Sequence, residues 1–488
     1  MNRILNAEQL LAQGNVRGRE ALVQIMEAGL RAADPYYNTL KLLRIEGNRL
    51  IVGGLPDFEP EGSPKTGAEV FDLDQVGRIL VVGAGKGVQR VAKAIEEVLG
   101  DRLEGGVVIA KHGDEPILER IEVVFGAHPV PDEGCVEGCR RMLAKIQGLE
   151  SNDLVFTIAA NGISALLTLP VPGVTLEDVR EVTYKMQIER GAHTGDLNPI
   201  RNHLDLMKGG RMSRYLQPAT AIHIIAVAPS ECGDYTGLME RNVWLHSLPE
   251  ASTYANAVFQ LKRHDAWDDV PASVREWLER ADPAYETVKR REFEQMRFRV
   301  FGVMPLDWGM RPTAARKAAE LGFTPHILYH AMHADAGQAA QVIAAIALNC
   351  EATGEPFEPP CALIGGSEML VTVGKEQGMG GRNQEFALTA AERIAGSANV
   401  LVASADSDGT DGPGRQFYAV GDIPALDGGL VDGTTARRAA EAGIDLRAEL
   451  RRHNTSPVLW AIGDAIMATP NISVNDLMVT LVLGRKGG

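Results

Sequence analysis

The chain repeatedly carries an unbroken apolar stretch into a glycine turn and from there into an amphipathic helix. That alternation restricts the fold more than any single residue does. Arg78-Ile79-Leu80-Val81-Val82-Gly83-Ala84-Gly85-Lys86-Gly87 reads as a buried strand ending in glycine and lysine, with a helix over 88–99 behind it. Strands follow over 106–110, 121–125, 153–159 and 221–228, the third of them again opening into a Gly/Ser turn. Strands that are apolar on both faces and separated by helices imply a largely parallel sheet covered by helices on both sides. A long helix over 7–32 precedes this run, and 176–216 is helical and rich in His, Arg and Lys. Residues 250–297 are charged and helical, and Arg299-Val300-Phe301-Gly302-Val303-Met304 starts a second α/β run. Its later strands are expected at 327–328, 361–364, 369–373, 400–403 and 477–482.

A chain of 488 residues is too long for one core. The expected organisation is an α/β protein of two domains with parallel or mixed sheets flanked by helices. It comprises a Rossmann-like domain over 1–235, a helical connector over 236–297 and a second α/β domain over 298–488. Ligands of such sheets bind beyond the carboxyl ends of strands, so the site is expected in the cleft between the domains.

The formal charge of −15 excludes nucleic acid or an anionic membrane as the main partner, since both demand a basic surface. It leaves room for a small anion held by a local cluster of Lys and Arg. No window has the apolar length of a membrane span, and Met1-Asn2-Arg3-Ile4-Leu5-Asn6-Ala7-Glu8 lacks the apolar run of a leader, so a cytoplasmic protein is expected. The five cysteines, Cys135, Cys139, Cys232, Cys350 and Cys361, are scattered and read as reduced thiols rather than zinc ligands. His330-x-x-His333-x-Asp335 has no fixed third ligand and is not read as a metal site.

Four blocks carry chemistry. In Gly83-Ala84-Gly85-Lys86-Gly87 a lysine stands at a strand-to-helix turn, beside helix N–H groups that favour anions. The block is neither a P-loop, since no Ser or Thr follows Lys86, nor a dinucleotide fingerprint, since Val88 replaces the last glycine. Gly126-Ala127-His128-Pro129-Val130-Pro131-Asp132 is a rigid loop whose histidine suits a structural or a catalytic role equally. In the third block Asn198 and Arg201 lie three apart and present an amide and a guanidinium on one helical face, suited to gripping a carboxylate, with Lys208-Gly209-Gly210-Arg211 after them. The fourth is Gly380-Gly381-Arg382-Asn383-Gln384-Glu385, followed by Asp406-Ser407-Asp408-Gly409-Thr410-Asp411-Gly412-Pro413. Guanidinium, carboxylates and open backbone N–H groups are what phosphoryl transfer uses to hold phosphates and a metal ion.

In this order the blocks resemble the class II glycerate kinases, the glycerate 2-kinase type with a MOFRL-type C-terminal domain, here from about residue 360. Ser473-Val474-Asn475-Asp476-Leu477 matches the Asn-Asp that precedes that family's last strand. The resemblance implies transfer of the γ-phosphoryl of ATP, with Mg²⁺, to a hydroxyl of a small hydroxycarboxylic acid, under a domain closure that excludes water. It implies Lys86, Arg382, Asp408 and Asp411 as catalytic residues and Asp406 and Asp408 as metal ligands. Asn198, Arg201, Lys208, Asn383 and Glu385 would bind the substrate, and Gly83, Gly85, Gly162, Ser164, Gly233 and Asp234 the nucleotide. The expected partners are therefore a small hydroxy acid and a nucleotide, with a homodimer left open as the assembly.

Two loops depart from the family. Where it has Ser-Gly-Gly-Gly-Ser-Ala-Leu, this chain reads Ala159-Ala160-Asn161-Gly162-Ile163-Ser164-Ala165-Leu166. Where it has Ser-Asp, Gly-Asp-Asp and Ala-Ser-Gly-Pro-Thr, this chain keeps Gly233-Asp234 and brings Tyr235, Trp244 and His246. Bulky and β-branched residues there fill space that a polyphosphate would use. The alternative reading is a nucleotide-independent lyase, isomerase or hydrolase acting on a hydroxy acid at the same place.

Overall fold

The computed structural model describes residues 2–190, 192–227, 233–330, 332, 334–366, 368–373, 376, 378–412, 423–469 and 475–486. Contacts divide the chain into two units, Pro35–Pro305 and Met1–Asp34 together with Leu306–Gly488.

The 35–305 unit begins with an antiparallel meander of β1 (Leu43–Glu46), β2 (Arg49–Val52) and β3 (Glu69–Asp72). Its main sheet contains β4 (Ile79–Ala84), β5 (Gly105–Lys111), β6 (Ile121–Gly126), β7 (Leu154–Ala160), β8 (Thr220–Ala226) and β9 (Phe298–Gly302). The spatial order is β6-β5-β4-β7-β8-β9, and every pairing is parallel. This is the doubly wound order, in which the chain reverses direction across the sheet between β4 and β7 and leaves a crevice beyond their carboxyl ends. Two glycines make that pairing tight. A Cβ on Gly83 would lie 2.5 Å from the Ile158 carbonyl oxygen, and one on Gly85 equally close to that of Ala160. Leu80, Val82, Val107, Ile109 and Val155 from these strands share one apolar core with Val136 and Met142 of the helix Glu133–Lys145.

Three expectations change here. β9 pairs with β8, so Arg299–Met304 completes the first sheet instead of opening a second run. Residues 236–297 accordingly return the chain from β8 to β9, and the contacts close this unit at Pro305 rather than at 235. The meander was not foreseen, because β1 and β3 are short and largely exposed and show no apolar pattern.

The split unit has a mixed sheet of β10 (Thr324–Ile327), β11 (Cys361–Gly365), β12 (Val400–Asp406), β13 (Gly428–Asp432), β14 (Ala465–Ile466) and β15 (Asp476–Val482). The order is β10-β11-β15-β12-β13-β14, with only β10 and β11 parallel. The expected strand at 369–373 is reduced to a single bridge between Asp335 and Leu370. The expected helix over 7–32 breaks into Ala7–Leu11 and Val16–Ala32, the second started by Asn15, whose side chain accepts from the Gly18 N–H at 3.0 Å. Gly18 and Gly29 let that helix lie close on the sheet, for a Cβ would come within 2.7 Å of Leu401 and 2.4 Å of Leu477. Among the described residues no helix is long and apolar enough to cross a membrane.

Arg19 ties this helix to the sheet. Its fully buried guanidinium donates to Asp432 at 2.6 Å, to Asp464 at 2.8 Å and to the Leu10 carbonyl at 3.1 Å. Burial pushes Asp432 up, but Arg19 and the Thr434 bonds outweigh it and hold the carboxyl down at about 2, below its ordinary 3.8. A carboxyl depressed in the fold contributes stability above its unfolded value and loses it as pH falls through the folded one. The expected outcome of Arg19→Ala is a loss of about 3–5 kcal/mol in unfolding free energy at neutral pH, since two carboxylates stay buried without a cation. Chemical denaturation measures it, and a loss below about 1 kcal/mol would contradict this role, being no more than a surface pair is worth.

Candidate functional site

In the 35–305 unit the groups of interest gather at the carboxyl ends of β4 and β7. Lys86 follows β4, and its backbone N–H donates to the Asn161 carbonyl beyond β7 at 2.6 Å. Its side chain is half-buried and passes Gly162, where a Cβ would stand 3.5 Å from Lys86 Cγ and 2.9 Å from His128 Cδ2. Gly162 takes φ +80° as the cap of the short helix Ile163–Leu166, and Ser164 lies in that first turn. Asn198, on the helix Thr194–His203, donates from Nδ2 to Ser164 Oγ at 3.3 Å, and His246 Nε2 is 2.9 Å from the same oxygen.

Arg201 stands one turn beyond Asn198 and is 7% exposed. Its Nε reaches Thr183 Oγ1 at 3.4 Å, and it has no carboxylate partner among the described residues. Burial alone pulls the guanidinium down to about 10. His246 is pushed well below its ordinary value by burial, with the charges of Lys208 and Arg201 adding to the effect, so its ring is neutral. The contrast with Arg19 is chemical. An arginine buried between carboxylates is neutralised by the fold, whereas Arg201 is a buried positive charge that an anion from outside would complete.

In the split unit the site is built on the ends of β12 and β15. Asp406 closes β12 and pairs in register with Asp476, which opens β15. Arg382, the first residue of the helix Arg382–Arg393, bridges them, donating to Asp476 from Nε and Nη2 at 2.7 Å each and to Asp406 at 2.5 Å. Burial pulls the guanidinium down, but Asp476, Asp406 and Asp411 outweigh it and hold it above its ordinary value. Burial pushes Asp476 up to about 6 against those bonds, which leaves it a carboxylate at neutral pH. Arg382 is partly open and faces a cavity of about 460 Å³ within this unit. The walls include Met369, Leu370 and Val371 on the apolar side and Glu385 and His453 on the polar side. Glu385 is pushed up by burial and meets His453 Nδ1 at 3.3 Å, a contact that pulls it back down.

Several expected site residues are occupied elsewhere. Lys208 is corrected from substrate ligand to buried strut: its three N–H bonds go to the Leu167 carbonyl, Thr168 Oγ1 and Asp205 Oδ2, at 2.5, 2.8 and 2.6 Å. Asn383 is fully buried, accepting from Ser404 Oγ and donating to Asp411, which leaves no face for a substrate. Asp411 caps the helix from inside, its Oδ1 accepting from the Asn383 N–H and amide and its Oδ2 from the Gln384 N–H. That employment removes it from the metal or hydroxyl-orienting role, and burial pushes it up to about 6. Gly381 allows this cap, since a Cβ there would lie 2.4 Å from Asp411 Cγ.

Asp406 spends one oxygen on Arg382 and the other on the Asp408 N–H at 3.0 Å, which corrects its expected metal role. Asp408 is half-buried in the turn and accepts from the Thr410 N–H. Among the described residues no three His, Cys, Asp or Glu side chains converge on a point that would hold a metal ion. Gly83 and Gly85 serve strand packing, and Asp234 caps the helix Tyr235–Glu240 by accepting from the Thr236 and Gly237 N–H groups and pairs with Arg241. Gly233 lies exposed beside that cap. His333, Pro413, Cys232, Ser473 and Val474 lie outside the described residues. Two participants were missed as site residues. Asp476 was visible in the Asn-Asp before the last strand, while His246, 82 residues from Ser164, carries no local signal.

Residues 21–238 match a family described as a domain of unknown function (DUF4147), and residues 361–476 match the MOFRL family. The glycerate 2-kinase of Pyrococcus horikoshii is 30% identical over 472 residues, 96% of this chain and 98% of that protein. The D-glycerate 2-kinase of Thermotoga maritima is 30% identical over 91% of this chain and 99% of its own length. A crystal structure of glycerate kinase from Thermotoga maritima superposes with a TM-score of 0.72 at 29% identity, covering 95% of this chain and 99% of that one. With similarity of that extent along both units, this chain belongs to the glycerate 2-kinase family.

Proposed function

We propose that the protein transfers the γ-phosphoryl of ATP to a hydroxyl of glycerate or a close small hydroxycarboxylic acid, the hydroxyl beside the carboxylate being the acceptor. The single observation that carries the substrate class is Arg201, a buried guanidinium with no carboxylate partner among the described residues. A small carboxylate completes it, and Asn198, fully buried one turn earlier on the same helix, is corrected from direct ligand to a support for Ser164. The phosphoryl-transfer class comes from the family, whose relatives bear the names glycerate 2-kinase and D-glycerate 2-kinase.

In this reading Arg382 balances charge on the transferring group. Asp406 and Asp476 fix its guanidinium plane in advance, so little reorganisation is needed as charge develops. Lys86, at the turn into the helix Val88–Leu99, offers a second cation to phosphate oxygens. Glu385 lines the cavity beside Arg382 and is placed to contact a bound ligand through the carboxyl that His453 orients. Among the described residues no set of side chains fits a closed, protein-held metal site. Those present fit an ion carried in on the nucleotide phosphates, which needs only one or two carboxylates, and Asp408 is the one we assign. Such an ion would screen the phosphate charge. A cytoplasmic location suits these substrates.

The test is ADP release by the purified protein with ATP, Mg²⁺ and a panel of hydroxy acids. Turnover with D-glycerate is expected, and no ADP above the acid-free control with any of them would return the reading to nucleotide-independent chemistry. In the same assay Arg382→Lys keeps a charge and loses the fork, and kcat is expected to fall by at least about 100-fold. A value within a fewfold of wild type would remove Arg382 from the reaction.

The two turn carboxylates separate cleanly. Asp411→Asn brings an amide against the Asn383 and Gln384 donors, so the melting temperature is expected to drop while the Mg²⁺ concentration for half-maximal rate stays put. Asp408→Asn is expected to raise that concentration at an unchanged melting temperature. The reverse pattern would exchange their roles.

A further inference from the structure

Ser164 lies where three polar observations meet that the fold itself does not satisfy. Its Oγ is approached by Asn198 Nδ2 at 3.3 Å and by His246 Nε2 at 2.9 Å. His246 is 1% exposed, and its other ring nitrogen, Nδ1, is buried with no hydrogen-bond partner among the described residues. The Oδ1 of Asn198, a residue with no exposed surface, is likewise unpartnered.

A neutral imidazole carries one proton, and the surroundings choose its place. A proton on Nδ1 would bury an N–H with nothing to receive it, a rarer and costlier defect than an under-used lone pair. The proton therefore sits on Nε2 and is donated to Ser164 Oγ. Asn198 Nδ2 donates to the same oxygen, since it has no acceptor to offer from nitrogen. A serine hydroxyl has two lone pairs and one proton. With both lone pairs engaged, only its O–H remains, and it must be donated to something else. The same tautomer, together with a basicity depressed by burial and by Arg201 and Lys208, makes His246 unfit as a base that would turn Ser164 into a nucleophile.

We propose that Ser164 contacts the bound hydroxy acid by donating its hydroxyl proton to the carboxylate, and that His246 is the positioning residue that turns the proton outward. The inference rests on the substrate class assigned above to Arg201, and it moves Ser164 from the nucleotide to the acid. The ligand is complementary group by group. A 2-hydroxy acid offers one carboxylate oxygen to Arg201 and the other to Ser164, while Asn198, which has no surface of its own, holds Ser164 from behind. Ser164 is only half-buried, so the donor remains accessible to a ligand.

The experiment is calorimetric titration of D-glycerate into the full-length protein without nucleotide, for wild type, Ser164→Ala, His246→Leu, His246→Gln and the Ser164→Ala/His246→Leu double variant. KM values for acid and for ATP are measured alongside. Loss of a hydrogen bond to a charged ligand should weaken glycerate binding about tenfold or more in Ser164→Ala, and by a similar factor in His246→Leu. The double variant should be no weaker than Ser164→Ala alone, because both changes remove one interaction. His246→Gln keeps an N–H donor near the Nε2 position and should recover most of the affinity. KM for ATP should hold in all of them.

Three results would overturn the inference: Ser164→Ala binding glycerate within about twofold of wild type, His246→Gln as weak as His246→Leu, or a rise confined to the KM for ATP. Wild type that binds no glycerate overturns it as well. Should His246→Leu fail to fold, the serine variant and the glutamine variant still decide. Wild type that binds glycerate without transferring phosphoryl refutes the kinase reading alone, since the titration needs no turnover. Turnover with unaltered binding in Ser164→Ala refutes this inference alone.

Discussion

The pairing of β4 with β7 is the constraint on which the 35–305 unit depends. A parallel sheet must return each strand through a crossover, and this one winds outward in both directions from that single pair. Adjacent strands at the reversal send their following segments to opposite sides, which opens a crevice at their carboxyl ends. Gly83 and Gly85 keep the two backbones close there, where any side chain would strike the Ile158 and Ala160 carbonyls. Lys86 and Ser164 are thus brought into one neighbourhood by strand order, although 78 residues of sequence position part 86 from 164. The crossovers bring Asn198 and His246 onto Ser164 and leave Arg201 one turn beyond Asn198.

Three arginines are buried to different degrees and with different partners. Arg19 and Arg382 are each clamped by two carboxylates, but Arg19 has no exposure, whereas Arg382 retains a face toward a cavity. The first is a fastening and the second a pre-oriented cation. Arg201 is nearly as buried as Arg19 and has no carboxylate partner among the described residues. Burying a guanidinium without a counter-charge costs several kcal/mol, which is why the proposed substrate is an anion.

Much of this was legible in the sequence, and the failures have physical causes. β4, β5, β7, β8, β12 and β15 are covered on both faces and read as continuous apolar runs, so they were found. β9 was found as a strand but given to the wrong sheet, because a local pattern does not state its partner. β13 begins Gly428-Gly429, residues that argue against a strand, yet a Cβ on Gly428 would lie 1.9 Å from the Ser404 carbonyl oxygen. At the candidate site, spacing within one helix singled out Asn198 and Arg201, and the glycine pair singled out Arg382. Lys208 and Asp411 looked equally available, since the partners that consume them are recognised only once the backbone has folded.

Phosphoryl transfer to the hydroxyl beside the carboxylate is checked by the position of the new phosphate. Phosphorus NMR of an incubation with ATP, Mg²⁺ and D-glycerate distinguishes the two possible esters by proton coupling. A phosphate on the secondary carbon couples to one proton and gives a doublet, whereas one on the terminal carbon couples to two and gives a triplet. ATP is expected to be consumed and the doublet to grow. A triplet would mean that the acid is held the other way round, and unchanged ATP would mean that the protein, for all its kinship, is not a glycerate kinase.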